Sequence, residues 1–265
     1  MGTSKGISTP SGGGWRAAKR TIKRQLANPG NGSAAGVVAA VVSAAGGLGL
    51  GIRHSRGAGG GGASGARGGG GRSAADHAKQ VGGAVAGLSG FASAVREQGL
   101  AEALRGLDLT TLEGRPAVEV IARVSERLAE GLDGVDGEIL RTALNATILE
   151  AAQLEQELGF TDLEVALQTF LNEQGLSGLV ELFLSRLAAD FVVAAILDYV
   201  DQKTNNEQET EAMVEAIEVV CREKARAVIG RYDGRMNQVD WFGRAGARIG
   251  REIAESIVDE LIRTD

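Results

Sequence analysis

The chain has 265 residues, 43% hydrophobic but only 4% aromatic, with 28 Lys and Arg against 34 Asp and Glu. Ala, Leu, Val and Ile must therefore pack one large domain or two small ones. Cys221 is the only cysteine, which excludes an internal disulfide, and no uncharged apolar run reaches 18 residues, the nearest, 36–52, being short and rich in weakly hydrophobic Gly and Ala, so no ordinary membrane span is expected. No apolar signal core follows Lys5, so the expectation is a cytoplasmic protein with no transmembrane segment.

Charge and glycine divide the chain in the same place. Of 40 glycines, 22 lie in residues 1–75, and no acidic residue occurs before Asp76. Ten basic residues do: Lys5, Arg16, Lys19, Arg20, Lys23, Arg24, Arg53, Arg56, Arg67 and Arg72. Residues 1–75 thus carry +10 and the rest −16, which accounts for the net −6. The split reads as a flexible basic Gly-rich arm, 1–72, joined to an acidic all-helical domain, 73–265.

Residues 1–14 hold nothing to offset the entropy of ordering and are expected to be disordered. "WRAAKRTIKRQLA" at 15–27 differs. Trp15, Ala18, Ile22 and Leu26 share one helical face, and Arg16, Lys19, Arg20, Lys23 and Arg24 take the other sides. "NPG" at 28–30 ends this short amphipathic helix, which needs a surface to persist. Residues 34–46 suit an Ala/Val-rich helix, and 56–71 read as a glycine linker.

From Ser73 onward the pattern is helical. Gly82, Gly83, Gly87 and Gly90 either permit close helix contact or fray the segment that holds them. Pro116 opens a helix with Ala117, Ile121, Val124 and Leu128 on one face. Leu140, Leu144, Thr147, Ala151, Leu154 and Leu158 line the next. "TDLE" at 161–164 has the form of a capping box between Thr161 and Glu164, with Leu163, Ala166, Leu167, Phe170 and Leu171 facing inward. Residues 179–200 are apolar nearly all round and should be central. Val214, Ile217, Cys221, Ala225 and Val228 give a further stripe, and Ile249, Ile253, Ile257 and Leu261 the last, which Asp240 is placed to cap. No window alternates as a strand would. The expectation is an all-α bundle of about six to eight helices, with its stable core within 100–262.

Enzyme chemistry finds no support. The two histidines, His54 and His77, lie in or beside the glycine-rich arm, and Cys221 sits on an apolar stripe as a buried structural thiol would. No GxxxxGK[ST] loop, zinc ligand set or Glu-x-x-His pair is present. The reading is no catalytic residue, no metal and no cofactor.

Two basic features remain. Trp15, Arg16, Lys19, Arg20, Lys23 and Arg24 suit an acidic protein, nucleic-acid phosphates or an anionic membrane, or else form a solubilising arm. Arg235, Trp241, Arg244 and Arg248, near Arg231, Tyr232, Phe242 and Arg251, suit an interface, unless Trp241 and Phe242 simply staple a helix start into the core.

The chain opens Met1-Gly2-Thr3-Ser4, then runs through Gly, Ser and Pro to Trp15. Gly2 is small enough for the initiator Met to be removed, leaving an α-amine with an ordinary pKa of about 8. The myristoylation pattern fails, because position 6 is Gly6. This start resembles that of QatB-like proteins, found in bacterial antiphage operons that also encode a P-loop ATPase, a QueC-like enzyme and a TatD-like nuclease. The resemblance covers roughly the first fifteen residues, with looser support from the glycine-rich arm and helical body. It implies that a QueC-like partner joins a 7-deazaguanine base through an amide to Gly2, with Thr3 and Ser4 as recognition residues. On this reading the protein is a non-enzymatic defence component whose body binds partner proteins. The alternative is a nucleic-acid- or membrane-binding adaptor acting through the basic arm.

Overall fold

The structure is a computed structural model that describes residues 13–27, 34–49, 74–131, 134–153, 159–203 and 207–264. Every regular element among them is helical: α1 (Gly13–Ala27), α2 (Ala34–Ala45), α3 (Ala74–Gln98), α4 (Leu100–Gly106), α5 (Ala117–Leu128), α6 (Gly134–Ala151), α7 (Phe160–Glu173), α8 (Gly175–Asp201), α9 (Glu207–Ile229), α10 (Asp233–Met236) and α11 (Arg244–Ile262), with a 3₁₀ turn at Thr110–Leu112. The all-α expectation holds. In the body, α4 and α10 are one or two turns long, which leaves seven helices of 12 residues or more.

α8 is the axis of the fold. It is apolar nearly all round, and Val180, Phe183, Leu184, Ala188, Phe191 and Val192 are all buried. α9 and α6 pack along it, with α3 and α7 beside them. α11 buries Ile249, Ile253, Ile257 and Leu261, the stripe read from sequence, against α3, α2 and α9. On α9 the buried set is Met213, Ile217, Cys221, Ala225, Val228 and Ile229, while Val214 is only half-buried. Gly99 (φ +90°) and Gly175 (φ +68°) make the α3–α4 and α7–α8 bends in a backbone region that side chains disfavour.

Helix starts depart from the sequence pattern in two places. α7 begins at Phe160, before the Thr161–Glu164 box, and the Asp162 carboxylate accepts from the Gly159 N–H at 3.0 Å. Glu164 lies one turn further in, where its carboxylate accepts from Gln168 Nε2 at 3.5 Å, and that amide also donates to the Val95 carbonyl of α3. Asp240 serves α11 with its backbone: its carbonyl accepts from the Gly246 N–H at 3.1 Å.

The larger correction concerns where the packed body begins. Trp15, Ala18 and Ile22 of α1 are 8%, 0% and 1% exposed, and Val37, Val38, Val41 and Val42 of α2 are fully buried. The two helices form an antiparallel hairpin in which Gly14 fits against Ala44. α2 in turn packs on α9, α11 and α8. The core therefore extends well outside 100–262, and residues 13–27 and 34–45 belong to it rather than to a free arm. The physical reason is that α2 is apolar on all sides and α1 on one, and neither can leave that surface in water. Of the expected disorder of 1–14 and 56–71, Gly13 and Gly14 are instead helical, as the first residues of α1, and the rest lies outside the described residues, as do Gly2, Thr3, Ser4, His54, Leu154 and Leu158.

Candidate functional site

The sequence-derived site residues fall into three groups. Gly2, Thr3 and Ser4 precede the described residues. The α1 group divides by helical phase. Trp15 turns inward, so it is a clamp rather than an exposed contact, and Ala18 and Ile22 complete the buried face. Arg16, Arg20, Lys23 and Arg24 point to solvent. Lys19 is half-buried, its ammonium 5.8 Å from the Tyr199 ring centre. The Tyr199 hydroxyl donates to the Lys19 carbonyl at 3.4 Å, which ties α1 to the end of α8.

The third group separates likewise. Trp241 is 4% exposed, and its indole Nε1 donates to the Met236 carbonyl at 3.0 Å, closing the turn between α10 and α11. Phe242, the next residue, is 56% exposed and lies over Gly90, with Gly106 alongside. Arg235 and Arg248 both reach Glu252, at 3.4 and 3.7 Å, and Arg235 also sits over the Tyr232 ring. Arg244 is exposed beside Phe242. The aromatic surface of this patch is therefore Phe242, and the staple is Trp241.

Ion pairing is dense elsewhere on the body. Glu260, buried at 8% exposure, receives Arg231, with Lys224 at 3.7 Å and Arg263 at 3.5 Å. The Arg231 hydrogen bond, with the charges of Arg231, Lys224 and Arg263, holds its carboxyl below the usual range. Across an open polar groove of about 620 Å³ between α6, α7, α8 and α9, Arg186 pairs with Glu150, Arg226 with Glu181, and the Ser177 hydroxyl with Asp233.

One buried polar pair escaped the sequence reading. His77, near the start of α3, is 6% exposed, and its Nε2 lies 3.4 Å from Asp136 Oδ2 on α6. Gly49 passes so close to the imidazole that a side chain there would occupy the ring's place. A cavity of about 240 Å³ adjoins it, lined by Gly46, Leu48, Val81, Glu255, Val258 and Asp259 among others. Nothing local signals this arrangement, because 59 residues separate the two partners and only the tertiary fold brings them together.

Chemically the described residues offer little to react. Cys221 is fully buried, and burial, aided by the Glu218 and Asp190 carboxylates, pushes its thiol up to about 12. A thiol held protonated is a poor nucleophile and a poor metal ligand. No three His, Cys, Asp or Glu side chains converge as a metal would need, among the described residues. No described helix is long and apolar enough to cross a membrane.

A family described as "Qat anti-phage system associated protein QatB" matches residues 69–240. That span runs from just before α3 to the turn that holds Asp240, and so covers α3 to α10. No curated protein matches the chain. No solved structure matches it either.

Proposed function

The chain belongs to the QatB family of antiphage-system proteins, and from that premise we propose that it is a non-enzymatic, cytoplasmic defence component whose N-terminal glycine is a substrate. The family match over the body, together with the Met1-Gly2-Thr3-Ser4 start, carries the reading. Removal of Met1 exposes the Gly2 amine. A QueC-like partner activates the carboxylate of a 7-deazaguanine base with ATP, and the neutral amine attacks it. The amide C–N bond forms, the activating group leaves and the amine loses a proton. Activation is required because a bare carboxylate does not acylate an amine at useful rates.

Thr3 and Ser4 serve as recognition residues beside the acceptor. Once Met1 is removed, eleven residues, 2–12, precede Gly13, enough to span at most about 40 Å when extended. The Trp15 clamp supports this role, since it gives that reach a fixed origin on the body. The body meets the operon partners, the P-loop ATPase and the TatD-like nuclease among them. Phe242 with Arg244 offers the aromatic–arginine pairing that interfaces favour.

Intact-protein mass spectrometry tests the central step. Expressed with its genomic neighbours, the protein should lack Met1 and carry the mass of an amide-linked deazaguanine on its N-terminal peptide. Substituting a bulky residue at Gly2 should retain Met1, abolish the added mass and abolish defence, with the helical body still folded. A plain glycine terminus in the native operon context rules the reading out.

A further inference from the structure

We infer that the solvent face of α1 is a docking ridge for the phosphate backbone of duplex nucleic acid. Arg16, Arg20, Lys23 and Arg24 are all exposed, and none of them forms an ion pair among the described residues. Other exposed cations without an ion pair among the described residues, such as Arg115, Arg222, Arg244 and Arg251, are spread over several elements, whereas these four share one helix. Arg127, Arg226, Arg231 and Arg248 of the body each hold a carboxylate within 4 Å. The four α1 cations stand at i, i+4, i+7 and i+8, along one side of the helix. They span about 12 Å at 1.5 Å per residue. One strand of a duplex places three to four phosphates over roughly that axial length, at about 3.4 Å each.

The structure also separates this partner from the others that a basic amphipathic helix admits. A membrane-surface helix must lay its apolar face in the acyl boundary. Here Trp15, Ala18 and Ile22 are already committed to the protein core, so only charge is left to offer. A protein partner wants an apolar or aromatic anchor within the contact. The large exposed hydrophobic side chains, Val118, Val165, Leu197, Val219, Phe242 and Ile262, all lie on elements other than α1 and α2. No exposed aromatic on α1 offers a stacking platform for unpaired bases, because Trp15 is turned inward. What remains is a rigid row of cations and nothing else, which suits a regular row of phosphates and reads no sequence.

The test is fluorescence anisotropy of a labelled mixed-sequence DNA duplex and an RNA duplex titrated with the full chain between 50 and 200 mM NaCl. Both duplexes should bind. For the DNA duplex, four phosphate contacts give a log–log salt slope of about −3.6, a loss of roughly a hundredfold over that range. The quadruple variant R16Q/R20Q/K23Q/R24Q should lose the binding with its circular dichroism and unfolding midpoint unchanged, and the charge-preserving R16K/R20K/R24K should keep it. Absence of duplex binding at 50 mM NaCl overturns the inference. So does binding that the glutamine variant retains, or capture by vesicles containing anionic lipid without capture by either duplex.

Discussion

Gly82 of α3 and Gly250 of α11 lie backbone against backbone. A β-carbon on Gly82 would come within 2.7 Å of the Arg251 Cα, and one on Gly250 would run into the Gly82 carbonyl oxygen. This crossing lets Val81 and Val85 of α3 share a core with Ile253 and Ile257 of α11. Gly82→Ala should therefore destabilise the fold by about 1–3 kcal/mol, since neither backbone can retreat without separating the helices. Gly83, the adjacent residue, is exposed with nothing within 4 Å of its would-be β-carbon. Gly83→Ala should stabilise by about 0.5–1 kcal/mol through helix propensity alone. Urea denaturation of the two variants checks the pair, and effects of equal sign would refute the crossing.

Trp15 holds α1 to the body, so its loss should be felt in stability and in local order. Trp15→Ala should cost about 3 kcal/mol or more, the usual range for removing a buried large aromatic. Trypsin should then cut first after Arg16, Arg20 or Lys23, sites that the docked helix protects in the parent chain. Unchanged stability with an unchanged cleavage order would place α1 outside the cooperative core.

Cys221 should react slowly with thiol reagents in the folded protein and rapidly in denaturant, given its burial and a thiol pKa of about 12. Cys221→Ser should cost about 1–3 kcal/mol if the buried hydroxyl has no partner. A stably folded serine variant that lost antiphage activity would reveal chemistry at this sulfur.

Glu260 and Asp190 should respond to pH with opposite signs. Arg231, Lys224 and Arg263 depress the folded-state pKa of Glu260, so its stabilisation is present above the unfolded value of about 4.3 and is lost as pH falls through the folded one. Glu260→Gln should weaken the protein at pH 7 and matter less at pH 3. Burial raises Asp190, an effect that Arg186 partly offsets and Glu218 reinforces. Its ionisation therefore costs stability as pH rises above about 3.9. Asp190→Asn should raise the thermal midpoint at pH 7 and leave it unchanged near pH 3. Differential scanning calorimetry at the two pH values separates them.

The helices and most of their inward faces were legible from residue patterns alone. Ile249, Ile253, Ile257 and Leu261 recur at helical spacing, and α8 is apolar nearly all round; burial follows from such patterns whatever the topology. Cys221 was legible for the same reason, as one member of a stripe. Charge and glycine counts misplaced the start of the body, because composition averaged α1 and α2 with the glycine-rich sequence around them. Only the tertiary structure supplies the surface of α9, α11 and α8 on which α2 is buried, and with it the footing for Trp15. It alone decided that Trp241 turns in while Phe242 turns out, a choice made by the Met236 carbonyl and the gap over Gly90. It alone brought His77 to Asp136, and Lys224 and Arg231 to Glu260, since these pairs depend on segments distant in sequence meeting in space, which no local period records.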